Sequence, residues 1–191
     1  MPSSAPSPTS GPRTQGGSTY AINYADGDGN DVVLTALNDA PALANADAAA
    51  AYTENAAPVA LDTAPLIAVS DPDGTTLVGA TVHIAGGTFV GDGDVLSANM
   101  AGTSITAVYD DTTETLILSG LDSFASYQQV LQSVTFESTS DNPTNFGTNP
   151  SRMVKWQLDD GGSINNLSTI QTTTVNITAI NRSDLSCSMR R

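Results

Sequence analysis

The sequence predicts an all-β fold, an antiparallel β-sandwich with one short helix behind a disordered N-terminal leader. Three observations carry this. Apolar residues recur in short runs, several of them alternating with polar ones, as on a strand with one buried face. Clusters of Asp, Gly, Asn and Pro separate those runs at short intervals, as turns between strands do. Aromatics make up only 5% of the 191 residues, with one Trp. A core of Val, Ile, Leu and Thr methyls suits a pleated, half-buried surface.

Residues 1–18 are rich in Ser, Pro and Gly and read as the leader. Residues 19–37 form a small β segment, in which Tyr20, Ile22 and Tyr24 alternate ahead of an acidic turn, Asp26 to Asp31, and Val32-Val33-Leu34. Residues 38–42 are a linker punctuated by Asn38, Asp39 and Pro41. Residues 43–181 carry the sandwich and 182–191 a tail. Alanine would let the stretch Ala42–Ala51 be helical, but Asn45 and Asp47 interrupt it, so an extended or irregular lead-in is expected. Val59–Leu61 and Leu66–Val69 are short apolar runs. Asp71-Pro72-Asp73-Gly74 is a turn by its residue types. Val78, Ala80, Val82 and Ile84 share one strand face. Phe89-Val90 and Val95-Leu96 flank the turn Gly91-Asp92-Gly93-Asp94. Residues 105–109 and 116–118 make a hairpin. Phe124, Tyr127, Val130 and Leu131 fall at helical spacing behind a cap at Asp122 or Ser123. Strands follow at Val134–Phe136, Met153–Leu158 and Thr172–Ile180, with a loop over 141–150.

The formal net charge is -14, and no Lys or Arg lies between Arg13 and Arg152. Carboxylates crowded into a compact fold repel one another. Divalent cations, or high salt, would offset that repulsion. The same balance argues against nucleic acid, whose binding requires Lys and Arg to displace phosphate counterions. The single Cys187 permits no intrachain disulfide, so a bound metal could brace the core instead. No run is long and apolar enough for a transmembrane segment, and no export signal is present in this chain.

Several motifs, taken in order, resemble a known family. Thr53-Glu54-Asn55 with Pro58, then Val69-Ser70-Asp71-Pro72-Asp73-Gly74, resemble the opening of a cadherin-type domain. Trp156-Gln157-Leu158-Asp159-Asp160-Gly161-Gly162 and Thr174-Val175-Asn176-Ile177-Thr178-Ala179 resemble its closing strands. Asn38-Asp39-Ala40-Pro41 resembles the joint between tandem copies, and Tyr127–Phe136 is similar to the cadherin-like repeats of very large bacterial surface proteins and adhesins. The likeness covers roughly residues 36–181. The closing joint departs from it, reading Asn181-Arg182-Ser183. Separately, Gly27-Asp28-Gly29-Asn30-Asp31-Val32-Val33 resembles half of a calcium-binding β-roll repeat of the RTX type, or the last rung of an autotransporter β-solenoid.

The cadherin resemblance implies an Ig/cadherin-like sandwich that is extracellular or at the cell surface. It implies a calcium-dependent structural or adhesive role, with neighbouring repeat modules, cell-surface proteins or glycans as partners. Calcium takes six to eight oxygens in forgiving geometry. Asp71 and Asp73, two residues apart on a turn, can aim at one ion. The resemblance adds Asn38, Asp39 and Asp159 to that site, and assigns Glu54 to a second site at the opposite end. Gly91-Asp92-Gly93-Asp94 and the Asp28/Asp31 pair rank below it. Asp-Pro-Asp-Gly is also a common metal-free turn.

Catalysis is not expected. His83, the single histidine, sits opposite the apolar face of its strand and is far in sequence from Cys187. A Ser-His-Asp or Cys-His engine and a His/Cys zinc site therefore lack support. A sugar-cleaving carboxylate pair would need aromatics that are scarce here. Asn166, Asn176 and Asn181 match the N-glycosylation pattern, with chance the safer explanation for Asn176. The alternative readings are a carbohydrate- or ligand-binding sandwich and a fragment of a β-solenoid passenger protein.

Overall fold

The computed structural model describes residues 11–15, 18–26 and 31–180. Asp28, Cys187, the closing joint at 181–183 and the tail lie outside the described residues, as does the leader up to residue 10. Three strands come first: β1 (Arg13–Gln15), β2 (Ser18–Asp26) and β3 (Asp31–Ala36). They form an antiparallel sheet in the order β1-β2-β3, with Tyr20 opposite Ala36 and Ile22 opposite Leu34. This corrects two expectations. Part of the leader, Arg13–Gln15, is a strand. The 19–37 segment is an antiparallel hairpin, whereas a solenoid rung would pair in parallel with the rungs beside it.

The sandwich follows. Its elements are β4 (Ala42–Ala44), β5 (Ala49–Thr53), β6 (Val59–Ala60), β7 (Ala68–Ser70), β8 (Thr76–Gly86), β9 (Asp94–Ser97), β10 (Thr106–Asp110), β11 (Thr115–Ser123), α1 (Phe124–Gln132), β12 (Thr135–Ser138), β13 (Ser151–Asp159) and β14 (Gln171–Thr178). The larger sheet has the order β10-β11-β8-β13-β14-β5, and the facing one β6-β12-β9, with β4 and β7 paired beside them. The expected all-β sandwich with one short helix is what the chain forms. One pairing is parallel, β14 with β5, which sets Ile177 beside Tyr52.

Alternation puts Val82 and Ile84 of β8, Val154, Trp156 and Leu158 of β13, and Val175 of β14 into the core. Phe136 of β12 and Leu96 of β9 close it from the other layer. Tyr52 meets Phe136 edge-on, with ring centroids 5.4 Å apart. Helix α1 fills the remaining side with Tyr127, Val130 and Leu131, and its N-cap Ser123 accepts a hydrogen bond from the Ser126 amide.

One local expectation fails for an identifiable reason. Val78 faces outward and Leu77 is buried in its place. The β8–β11 register shifts between Ser119 and Asp122, which interrupts the two-residue period at the start of β8. Phe89-Val90 lies in a loop, held there by Asp92, whose carboxylate accepts the Phe89 amide at 2.9 Å.

Candidate functional site

Strand β8 has 11 residues, a span of roughly 33 Å. Acidic loops sit at both of its ends. The Asp71–Gly74 turn precedes it. The Gly91–Asp94 turn follows it, beside the start of β13.

At the first end the linker is held against the sandwich. The Asp39 amide donates to the Asp73 carboxylate at 3.3 Å. The Asn38 side chain donates to Asp160 at 2.9 Å and to the Ile164 carbonyl at 3.0 Å, and the Asn38 carbonyl accepts from the Asn165 side chain at 2.9 Å. Gly162 permits this approach, because a Cβ there would come within 2.4 Å of the Asn38 side chain. On the far side of the linker, Asp39 accepts the Thr19 amide at 2.9 Å. Asp71 folds over its own turn, accepting from the Asp73 and Gly74 amides at 3.0 and 3.3 Å. Its other oxygen is buried with no hydrogen-bond partner. Burial raises the Asp71 pKa, and the neighbouring Asp73 carboxylate raises it further.

Of the expected ligands, Asn38, Asp39, Asp71 and Asp73 thus meet at one end. Asp159 points into its own loop, accepting from the Gly161 amide and the Asn166 side chain. Its neighbour Asp160 reaches the linker instead. Two consecutive acids on a turn aim in different directions, and spacing alone could not choose between them. Glu54 lies at the opposite end of the sandwich, just past β5. It is 3% exposed and accepts the Ile180 amide at 2.8 Å.

That second end holds a constellation centred on a residue that composition and spacing did not single out, Arg152. Its side chain is fully buried. It forms an ion pair with Asp94, whose side chain is equally enclosed, and lies 3.9 Å from Asp92. It also donates to the carbonyls of Pro143 at 2.7 Å and Asn149 at 3.1 Å, and stacks over Phe89 with the guanidinium 5.5 Å from the ring. Asp92, Asp94 and Glu114 bring ligand oxygens within 4.8 Å of one another, the one such trio among the described residues. One Glu114 oxygen is buried without a hydrogen-bond partner. Gly93 is required between the two aspartates: its φ is +67°, and a Cβ would sit 2.5 Å from the Thr139 hydroxyl. A cleft of about 510 Å3 opens here, lined by Phe89, Asp92, Asp94, Asp111 and Glu114 among others.

Three carboxylates around one guanidinium leave net negative charge in a poorly solvated place. Burial pushes the Asp94 pKa up to about 7; Arg152 opposes that rise, and Asp92 and Glu114 add to it. Burial raises Glu114 as well, with Asp92 adding and Arg152 opposing. A folded-state pKa above the unfolded one gives stability that is complete below the unfolded value and lost as pH climbs through the folded one. Without divalent ions, stability should therefore fall between about pH 4 and 7, by at most about 1.4 kcal/mol per pH unit for each carboxyl involved. Urea midpoints across that range measure it, and Asp94→Asn should flatten the slope. A wild-type profile that stays level or rises there contradicts the assignment.

No family model matches the chain, and no curated protein matches it. Among solved structures the chain is similar to the human Desmocollin-1 ectodomain, at 12% identity and a TM-score of 0.26. The match covers 86% of this chain and 27% of that one, so the chain spans about a quarter of the ectodomain's length. No helix among the described residues is long and apolar enough to cross a membrane.

His83 contacts the Thr115 hydroxyl at 3.0 Å on the outer face of the large sheet. No carboxylate is hydrogen-bonded to that ring among the described contacts.

Proposed function

We propose that this chain is a non-catalytic, cadherin-like module of an extracellular or cell-surface adhesive protein, stiffened by calcium at its ends and joined to neighbouring modules. The observation that carries the reading is the clasped linker. Asn38 and Asp39 are gripped by Asp73, Asp160 and Asn165 while a buried Asp71 oxygen stands without a partner. Calcium takes carboxylate, amide and backbone oxygens together, the donor types these loops carry, and binding would have to draw them closer, since no three of their carboxylates converge as those of Asp92, Asp94 and Glu114 do. Binding there would fix the angle between the linker and the sandwich.

Asp92, Asp94 and Glu114 form a second candidate set, where a divalent ion would cancel the charge that Arg152 leaves over. The anionic surface supports protein or glycan partners over nucleic acid.

Calcium at ten times its dissociation constant should add about 1.4 kcal/mol per site. Melting curves at low salt, recorded with chelator and after restoring calcium, test the reading. The expected result is a higher Tm with calcium, with the linker site's share of the gain lost in Asp71→Asn/Asp73→Asn. A melting curve that calcium does not move removes the mechanism.

A further inference from the structure

The chain contains a short internal repeat. Val32-Val33-Leu34-Thr35-Ala36-Leu37-Asn38 and Val175-Asn176-Ile177-Thr178-Ala179-Ile180-Asn181 share the pattern Val-x-Leu/Ile-Thr-Ala-Leu/Ile-Asn. Both copies begin on the second arm of an antiparallel hairpin that follows an Asp- and Gly-rich segment, β3 after β2 and β14 after β13. Their surroundings differ sharply. Val175 and Ile177 are 0% and 7% exposed, whereas their counterparts Val32 and Leu34 are 58% and 62% exposed.

In the covered copy, β5 pairs along the free edge of β14, and the facing sheet packs on its inner side. In the uncovered copy, β3 is an edge strand, and Leu34 with its cross-strand partner Ile22 forms an apolar face. A three-stranded sheet of this kind gains independent stability by packing such a face on another layer. The joint at its end is already built. Asp39 holds the Thr19 amide on one side while its own amide is held by Asp73 on the other.

We propose that β3, backed by β2, is the closing strand of a second sandwich module. Val32, Leu34 and Ile22 are the surface on which the earlier strands of that module pack, placed ahead of the hairpin in tandem. This rests on the modular reading above but not on calcium.

A tandem chain tests it. Residues 43–174, the sandwich up to the position before Val175 in β14, are joined directly to residue 32 and the rest of the chain, so that Val32 takes the place of Val175 and β13 backs β3 where β2 does in the parent. If β3 closes a module, both copies fold, and the β3 amides exchange about a hundredfold more slowly than in the parent chain. Leu34→Asp should then unfold the first copy and leave the second intact, while changing little in the parent, where Leu34 faces water. An unfolded first copy, or indifference of the tandem to Leu34→Asp, overturns the proposal. So does concentration-dependent protection of β3 in the parent chain together with a dimer by sedimentation, which would make a second copy the occupant. Chelator controls on the tandem separate this outcome from failure of the calcium reading, since β3 protection should persist without the ion.

Discussion

Arg152→Met should destabilise the sandwich by about 3–5 kcal/mol, because it removes one partner from a buried ion pair and leaves the other uncompensated. Arg152 and Asp94 are both fully enclosed at the side chain. Removing the guanidinium also strips donors from the Pro143 and Asn149 carbonyls, so the loop over 141–150 loses its anchor to β13. The Trp156 fluorescence of the single Trp reports unfolding in urea. The double variant Arg152→Met/Asp94→Leu should recover a substantial part of the loss, since replacing both members of a buried pair by apolar groups is often close to neutral. A single variant within about 1 kcal/mol of wild type, the range of an exposed pair, would show that this guanidinium is solvated rather than enclosed. The same experiment bears on function. If Arg152 and a divalent ion share the carboxylates, calcium should rescue more stability in Arg152→Met than it adds to wild type.

Trp156→Ala should cost about 3–5 kcal/mol, the usual range for emptying a large aromatic site. Trp156 is 0% exposed at the centre of the six-stranded sheet, opposite Val82 on β8 and Gln171 on β14. Its indole N–H donates to the Thr173 hydroxyl at 2.9 Å, and Thr173 is itself fully buried. With so few aromatics in the chain, little nearby can swing into the gap. Far-UV circular dichroism during thermal or urea unfolding measures the loss, because the fluorophore is gone. Trp156→Phe keeps most of the volume but leaves the Thr173 oxygen without its donor, for a cost nearer 1–3 kcal/mol. Equal losses in the two variants would mean that the hydrogen bond, not the volume, dominates at this position.

The two sites differ in how far they were legible. The linker end was readable because its groups are local and sit on recognisable turns: Asn38-Asp39 before a Pro, and Asp71-x-Asp73-Gly74. Asn38 nevertheless bonds Asp160, 122 positions away, and only the fold brings that loop to the linker. The Arg152 end was not readable. Asp92 and Asp94 share a turn, but Glu114 comes from the β10–β11 loop and Arg152 from the start of β13. The one advance signal was that Arg152 ends the long stretch without cations, which made it the first positive charge available to so many carboxylates.

Taken alone, the amino-acid sequence determined most of the strands, the turn chemistry, the capped helix and the excess of negative charge. Each of these arises from neighbours a few positions apart, through side-chain alternation, backbone preference and composition. Tertiary structure alone decided which acids converge, that Leu77 rather than Val78 enters the core, and that β14 is covered while the matching β3 is bare. Those outcomes depend on strand register and on contacts between distant segments, and a one-residue shift in pairing sends every side chain of a strand to the other face.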